Sequence, residues 1–376
     1  MREGKRNRRD DSDARADSPG KTNPSFGASS PGEAAKPENQ STKRGDGRRR
    51  PVRLAALDLG TNNCRLLVAA LHGEDLRIVD AYSKIVRLGE GVSQSGVLSQ
   101  EAMARTEAAL NVCAEKIQRR GVTHMRCIAT QACRGAENGE EFLARMTQST
   151  GLAFDIISTE EESRLAVSGC ADLLDQKSEA GLIFDIGGGS TELSWVRPRL
   201  RGAGGDIVAW ASLPFGVVSL AERWGGVEMS AETYSAIVED VRAEVARVGD
   251  QANLKSIFQA DRAHLLGTSG TVTSIAGVHL GLTRYRRDKV DGLWLSIDDA
   301  RSVTDRLRGM SFEERANEPC IGADRADLVV SGCAILEALQ LEWPATRIRV
   351  ADRGLREGLL ADLALQARNE RRRGRL

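Results

Sequence analysis

Two short segments, 127 residues apart, each end an apolar run in an aspartate and follow it with small residues. One is Leu57-Asp58-Leu59-Gly60-Thr61-Asn62; the other is Phe184-Asp185-Ile186-Gly187-Gly188-Gly189-Ser190-Thr191. Glycines in such a loop let the backbone come close to a ligand, and successive N–H groups form a nest for an anion. The carboxylate at the strand end can order a water or a hard cation such as Mg²⁺, which keeps several waters of its own. Two facing copies would hold a phosphate chain and its metal from both sides. A single Asp-x-Gly segment is most often only a turn; the repeat, the apolar strand before each aspartate and the glycine string favour function. A third segment, Gly267-Thr268-Ser269-Gly270-Thr271, lies between a short apolar run and a helical pattern. It would offer free N–H groups and the positive end of a helix dipole to an anion, although an ordinary capped turn has the same composition. Gly20-Lys21-Thr22 is not a P-loop, because Arg15 stands where the first glycine belongs. The Gly187-x-Gly189 run leads to Glu192 and so is not a dinucleotide fingerprint.

These loops need rigid elements to aim them. The apolar run Val52–Leu57, the turn after it and the second run Arg65–Leu71 read as strand, loop and strand. In the second segment the outgoing strand starts at Glu192, the counterpart of Arg65 in the repeat. Met103, Thr106, Leu110, Cys113 and Ile117 step by three and four, one face of a helix over 99–121 with Gly121 as its stop. Met125–Ala129 reads as another strand. Helices are expected from Glu160 to Leu174, over 230–248, from Thr273, and from a cap at Asp298. Gly181–Ile186 and Leu265–Gly267 read as strands, and strands alternating with helices give an α/β class. Two lobes facing across a cleft are expected.

Composition narrows the function. The 376 residues are 41 % hydrophobic and 28 % charged, enough for two ordinary cores. Aromatics at 4 % leave little for a single-strand stacking platform. The formal net charge is zero, yet residues 1–53 carry +6 and residues 367–376 carry +4, leaving the body at −10. An acidic body with basic ends argues against a specific nucleic-acid partner; the tails could make weak contact with a polyanion. Residues 1–51, rich in Arg, Asp, Ser, Pro and Gly, read as a disordered basic tail. Seven cysteines without a CxxC pair exclude a disulfide framework or zinc ribbon, and four histidines without HExxH spacing exclude a histidine metal site. No run suits a membrane span or a secretory signal. A reduced cytoplasmic enzyme is the expectation.

The three loops together closely resemble the exopolyphosphatase and guanosine pentaphosphate phosphohydrolase family, within the actin, sugar-kinase and heat-shock-chaperone superfamily. Thr130-Gln131-Ala132-Cys133-Arg134, Ile156-Ile157-Ser158 leading into Glu161-Glu162-Ser163-Arg164-Leu165, and Asp352-Arg353-Gly354-Leu355-Arg356-Glu357-Gly358 complete the likeness over about 52–362. The resemblance implies two actin-like (ribonuclease H-like) lobes with mixed sheets facing across a phosphate-binding cleft. Lobe I would span 52–176, completed by a C-terminal helix near 354–366; lobe II would span 177–350, and 367–376 would be an Arg-rich tail. It also implies roles. Glu162 would be the catalytic glutamate that orients water, whereas the residues alone would leave Glu160, Glu161 and Glu162 as a solvated helix start. Arg134 would reach the terminal phosphate. Asp58, Gly60, Thr61, Asn62, Arg65, Asp185, Gly187, Gly188, Gly189, Ser190, Thr191, Gly267, Thr268, Ser269, Gly270 and Arg325 would bind substrate phosphates. Asp58 and Asp185 would hold Mg²⁺, directly or through water. Arg65 has a second reading, as a strand residue paired with Glu192.

The expected reaction is hydrolytic release of terminal phosphate from inorganic polyphosphate, with guanosine pentaphosphate as the rival substrate. A homodimer is an allowed assembly. From a different class, a nucleotide-switched actin-like binding module is the competitor. Phosphate release from polyphosphate without ATP separates the two. The chain departs from the family pattern at Thr61, which replaces a serine, and at Cys133, which replaces a leucine before the arginine. Only about ten residues follow the core, without the His-rich helical domain of the long members, so it resembles a short form.

Overall fold

The computed structural model describes residues 51–199 and 204–374. The basic tail expected over 1–51 therefore lies outside the described residues, save for its last position, as do the chain's last two residues. Among the described residues eleven strands form two sheets: β1 (Val52–Leu59), β2 (Asn63–His72), β3 (Asp75–Ile85), β4 (His124–Ala129) and β5 (Phe154–Ile156) in one. The other holds β6 (Ala180–Ile186), β7 (Thr191–Pro198), β8 (Gly205–Leu213), β9 (Ala263–Thr268), β10 (Trp294–Ser296) and β11 (Arg347–Val350). The first sheet runs β3-β2-β1-β4-β5 and the second β10-β11-β9-β6-β7-β8. Aside from β10, these are the same order. In each, the first strand pairs antiparallel with the second and parallel with the fourth. Both sheets are mixed, and the repeat read from the two aspartates is a repeat of architecture.

Strands buried on both faces lose simple polar alternation. In β1, Ala55, Leu57 and Leu59 enter one core while Val52, Leu54 and Ala56 enter another. Side-chain direction has a period of two, so Asp58 shares the face of Leu54 and Ala56. That face is covered by the C-terminal helix (Leu355–Arg372) through Leu359, Leu360, Leu363 and Ala364. In β6, Leu182, Phe184 and Ile186 face the large core, while Ile183 joins Val167 and Cys170 of the Thr159–Cys170 helix. Asp185 shares the parity of Ile183. The Thr159–Cys170 helix serves both sheets, with Leu165 in the core under β1 and Val167 in the core under β6. It meets the C-terminal helix backbone to backbone: a Cβ on Gly169 would fall 1.8 Å from the Gly354 carbonyl oxygen. Each fully buried Leu or Val in these layers stabilises the fold by roughly 1.5–3 kcal/mol relative to exposure.

Several expected boundaries move. The helix after β9 begins at Ser269 rather than Thr273, because complete burial of Thr271–Val278 outweighs the weak helix preference of small residues. Ser296, not Asp298, caps the Ile297–Gly309 helix; its hydroxyl accepts from the Asp299 N–H. The helix expected to reach Leu174 ends at Cys170 and tightens to a 3₁₀ turn over Ala171–Leu173. The C-terminal helix continues to Arg372, six residues into the expected Arg-rich tail. Ala367 is buried there, and the next break is Gly374 at φ 69°. The Ser99–Gly121 segment is as read, with Ser99 capping the Gln100–Arg120 helix and Gly121 left-handed at its end. All seven cysteines are buried free thiols. No helix among the described residues is long and apolar enough to cross a membrane.

Candidate active site

The two aspartate loops close with the same hydrogen bond. Gly60 N–H donates to Asn63 O, and Gly187 N–H donates to Ser190 O, each at 2.9 Å. Hairpin register then sets Asp58 opposite Arg65 and Asp185 opposite Glu192. The loops face one another at very short range: a Cβ on Gly189 would lie 2.9 Å from Thr61 Oγ1, and one on Gly188 2.9 Å from Thr61 Cβ. Only glycine permits that approach. The N–H groups of Thr61, Asn62, Gly188 and Gly189 donate to no acceptor among the described residues, which makes the pair of turns a ready anion nest. Between them opens a cavity of about 440 Å³, continuous with solvent, lined by Asp58, Thr61, Glu162, Asp185, Glu192 and Arg325 among others.

Six carboxylates line this cavity, and four of them, those of Asp58, Glu162, Asp185 and Glu192, lie by the two loops. Glu162 starts the Thr159–Cys170 helix, whose cap is Ser158, and its side chain is only 13 % exposed. Burial raises its pKa well above the ordinary carboxylate range; Glu192, Asp185 and Asp58 push the same way, and Arg134 opposes them. Burial first, then Asp185, lifts Glu192 to about 7, against hydrogen bonds from Ser190 Oγ (2.7 Å) and Ser212 Oγ (3.0 Å). Burial also lifts Asp185 to about 6 and raises Asp58, with Arg65 opposing the shift in both. The neighbouring glutamates differ. Glu160 is exposed, and Glu161 is spent on Arg126 at 2.8 Å. Helical spacing thus turns only the third glutamate into the cleft.

The other expected residues divide into two groups. Gly60, Asn62, Gly187, Ser190, Thr268, Ser269 and Gly270 line the cavity with the residues already named. Ser269 holds φ 75°, a conformation uncommon for a residue with a Cβ and found where a site over-determines its backbone. Thr191 does not line the cavity: its hydroxyl donates to Phe215 O at 2.7 Å in the loop after β8. Gly267 does not either; a Cβ there would fall 2.5 Å from the Phe184 ring, so it serves packing. Arg134 stands behind Glu162, donating to Glu162 Oε2 (3.2 Å), Gln131 Oε1 (2.9 Å) and Ile157 O (2.6 Å). It does not line the cavity, and its guanidinium is engaged with those acceptors. Arg65 pairs across the hairpin with Asp58's position, not with Glu192.

Sequence reasoning passed over Glu192, Gln131, Tyr285, Asp352 and Arg356, all of which line the cavity. For Glu192 a signal existed: strand parity places it on Asp185's face, as Arg65 lies on Asp58's. Asp352 and Arg356 had a signal too, since both lie in the Asp352–Gly358 motif of the resemblance, but no role was read from it.

The donor set suits a hard divalent cation. Beyond burial, Glu192, Asp185 and Asp58 raise the pKa of Glu162, Asp58 raises that of Asp185, and Asp185 raises that of Glu192, so these carboxylates cannot all ionise cheaply without added positive charge. Among the described residues no three His, Cys, Asp or Glu side chains close into a cage of their own. An ion here would keep waters and share phosphate oxygens, the habit of Mg²⁺.

Comparison with known proteins agrees with this geometry. The Ppx/GppA phosphatase family matches residues 67–367. The chain is 28 % identical over 326 residues to Exopolyphosphatase 2 of Mycobacterium tuberculosis, covering 83 % of this chain and 99 % of that one. A crystal structure of the Aquifex aeolicus Ppx/GppA family member superposes with a TM-score of 0.69 at 26 % identity, over 84 % of this chain and 98 % of the other. An exopolyphosphatase from Cytophaga hutchinsonii shares the fold, with a TM-score of 0.74 at 22 % identity over 84 % and 98 % of the two chains.

Proposed function

The chain belongs to the Ppx/GppA phosphatase family, and from that premise we propose that it hydrolyses the terminal phosphoanhydride bond of inorganic polyphosphate. The observation that carries this reading is Glu162. It is a half-buried carboxylate with a raised pKa, held by Arg134 at the mouth of two facing anion nests. The Mycobacterium tuberculosis relative, named an exopolyphosphatase, supports the substrate class.

In this reading the terminal phosphate rests on the free N–H groups of Thr61, Asn62, Gly188 and Gly189. Glu162 aligns a water with the phosphorus and accepts its proton as the new O–P bond forms. The bond to the next phosphate breaks, and the shortened chain leaves with the bridging oxygen. Little covalent work is asked of the protein; positioning and charge supply the rate. Bound Mg²⁺, held by Asp58 and Asp185 through its waters with Glu192 beside them, would neutralise charge on the phosphate oxygens. Arg134 fixes the Glu162 carboxylate in one orientation and favours its ionised form. The reduced, buried cysteines support a reducing compartment such as the cytoplasm.

One observation favours guanosine pentaphosphate as a second substrate. Tyr285, Pro319 and Ile321 give one part of the cleft an apolar lining beside Arg325, where a base could rest. The test is phosphate release from long-chain polyphosphate and from guanosine pentaphosphate at matched phosphate ends, with Mg²⁺ and no ATP. Release from polyphosphate supports the reading. Release from neither removes it.

A further inference from the structure

Arg356 is the least expected group in the cleft. It lies in the first turn of the Leu355–Arg372 helix, where the macrodipole disfavours a cation. It is half-buried, lines the cavity and forms no ion pair or side-chain hydrogen bond among the described residues. Of its three acidic neighbours, Asp58 attracts it without a hydrogen bond and the other two are engaged elsewhere. Glu357 accepts from Arg287 at 2.8 Å and from the Gly354 N–H at 3.0 Å, and Asp352 accepts from the Tyr285 hydroxyl at 2.7 Å. Two more guanidiniums stand nearby in the same state: Arg65 on β2, and Arg325, which would lie 3.8 Å from a Cβ on Gly270. Burial and the charge of Arg65 both depress the basicity of Arg325 and of Arg356. Three cations are thus drawn out of water and set against one another, with no ion pair among the described residues and only the attraction of nearby carboxylates, Asp58 and Asp352 among them, to offset their burial. Such an arrangement is costly by itself and is repaid when a polyanion arrives.

We propose that Arg356 is a substrate-binding residue which, with Arg65 and Arg325, grips the phosphates next to the one being released. The proposal rests on the phosphoanhydride-hydrolase reading above. Arg65 and Arg356 come from the part of the chain around the first sheet, and Arg325 comes from the part around the second. The bound phosphates therefore fasten the two sides of the cleft together. A guanidinium suits the task, since its planar fork offers two parallel N–H donors to phosphate oxygens where an ammonium offers a point charge.

The test compares full-length wild type with Arg356→Gln and Arg356→Lys, using tripolyphosphate with Mg²⁺ as the probe. Arg356→Gln should raise KM by roughly ten- to a hundredfold, the loss of a charge-assisted hydrogen bond, while kcat stays within a few fold. Arg356→Lys should recover part of that loss. A second readout distinguishes binding from structural support. Removing an unpaired, mutually repelled cation should hold or raise the Tm of the ligand-free protein, and should shrink the Tm gain on adding tripolyphosphate. A lower ligand-free Tm with an unchanged tripolyphosphate response would overturn the proposal, as would an unchanged KM. The parent reading fails separately. If wild type cleaves no phosphoanhydride, calorimetric binding of tripolyphosphate still judges Arg356, with equal affinity in wild type and Arg356→Gln counting against it.

Discussion

The β1–β2 and β6–β7 hairpins are built alike and charged differently. Both carry an aspartate at the strand end, both close the turn with the same hydrogen bond, and both occupy the same place in a sheet of the same order. Opposite the aspartate, however, one hairpin sets Arg65 and the other sets Glu192. The cation moderates the desolvated Asp58 beside it. The second carboxylate raises the pKa of Glu162 and is itself lifted to about 7. One duplicated scaffold thus divides the labour at the paired position: in the proposed reading Arg65 grips phosphate, while Glu192 joins Asp58, Asp185 and Glu162 in an acidic cluster suited to a cation and a general base.

The largest effect expected from breaking this arrangement is at Glu162. Glu162→Gln keeps the shape and removes the base, so kcat should fall by roughly 10²- to 10⁴-fold, while Glu160→Gln and Glu161→Gln stay near wild type in the same phosphate-release assay. Three equally mild effects would remove Glu162 from the chemistry. Asp58→Asn and Asp185→Asn should each cost roughly 10- to 100-fold in kcat, the usual penalty for disturbing groups that orient a metal's shell; titrating activity against Mg²⁺ would show a raised requirement in both.

A smaller effect concerns pH. In the proposed mechanism Glu162 works ionised, so its raised pKa should set the acid limb of kcat/KM above the ordinary carboxylate range. Glu192→Gln removes a charge that raises this pKa, so the limb should move to lower pH. Arg134→Gln removes a charge that lowers it, so the limb should move to higher pH. Profiles of the two variants that shift together would contradict the assigned couplings. Smaller still is an effect on stability. Asp185 and Glu192 bind protons more tightly folded than unfolded, with native values of about 6 and about 7. Their contribution is complete below the unfolded carboxylate range and is lost as pH rises through those values. Without divalent cation, Tm should therefore fall by a few degrees between pH 4.5 and about 7.5, and Mg²⁺ should restore it. A Tm that rises over that window in metal-free buffer would deny the clustering.

Much of this was legible because it is local. Each aspartate, its apolar strand and its glycines are contiguous, and the spacing between copies announced a duplicated lobe. Glu162 became identifiable only through the motif around it, since propensity alone makes Glu160, Glu161 and Glu162 equivalent; helix phase and burial then separate them. What sequence could not show depends on distant partners. Arg134, expected at the phosphate, contacts Ile157 O, Gln131 and Glu162, partners its own motif does not reveal. Thr191 and Gly267 carry the right composition but point into a sheet and against Phe184. Arg356 sits in a recognisable motif, and the C-terminal helix was expected to complete the first lobe, but that its start brings Arg356 into the cleft depends on how that helix packs across β1.

The division of labour between the hairpins is tested most directly by measuring kcat and KM for Arg65→Gln and Glu192→Gln side by side on tripolyphosphate at saturating Mg²⁺. The account predicts a split: Arg65→Gln raises KM with kcat within a few fold of wild type, and Glu192→Gln lowers kcat with KM little changed. The reverse pattern, or the same loss of kcat in both, would contradict it.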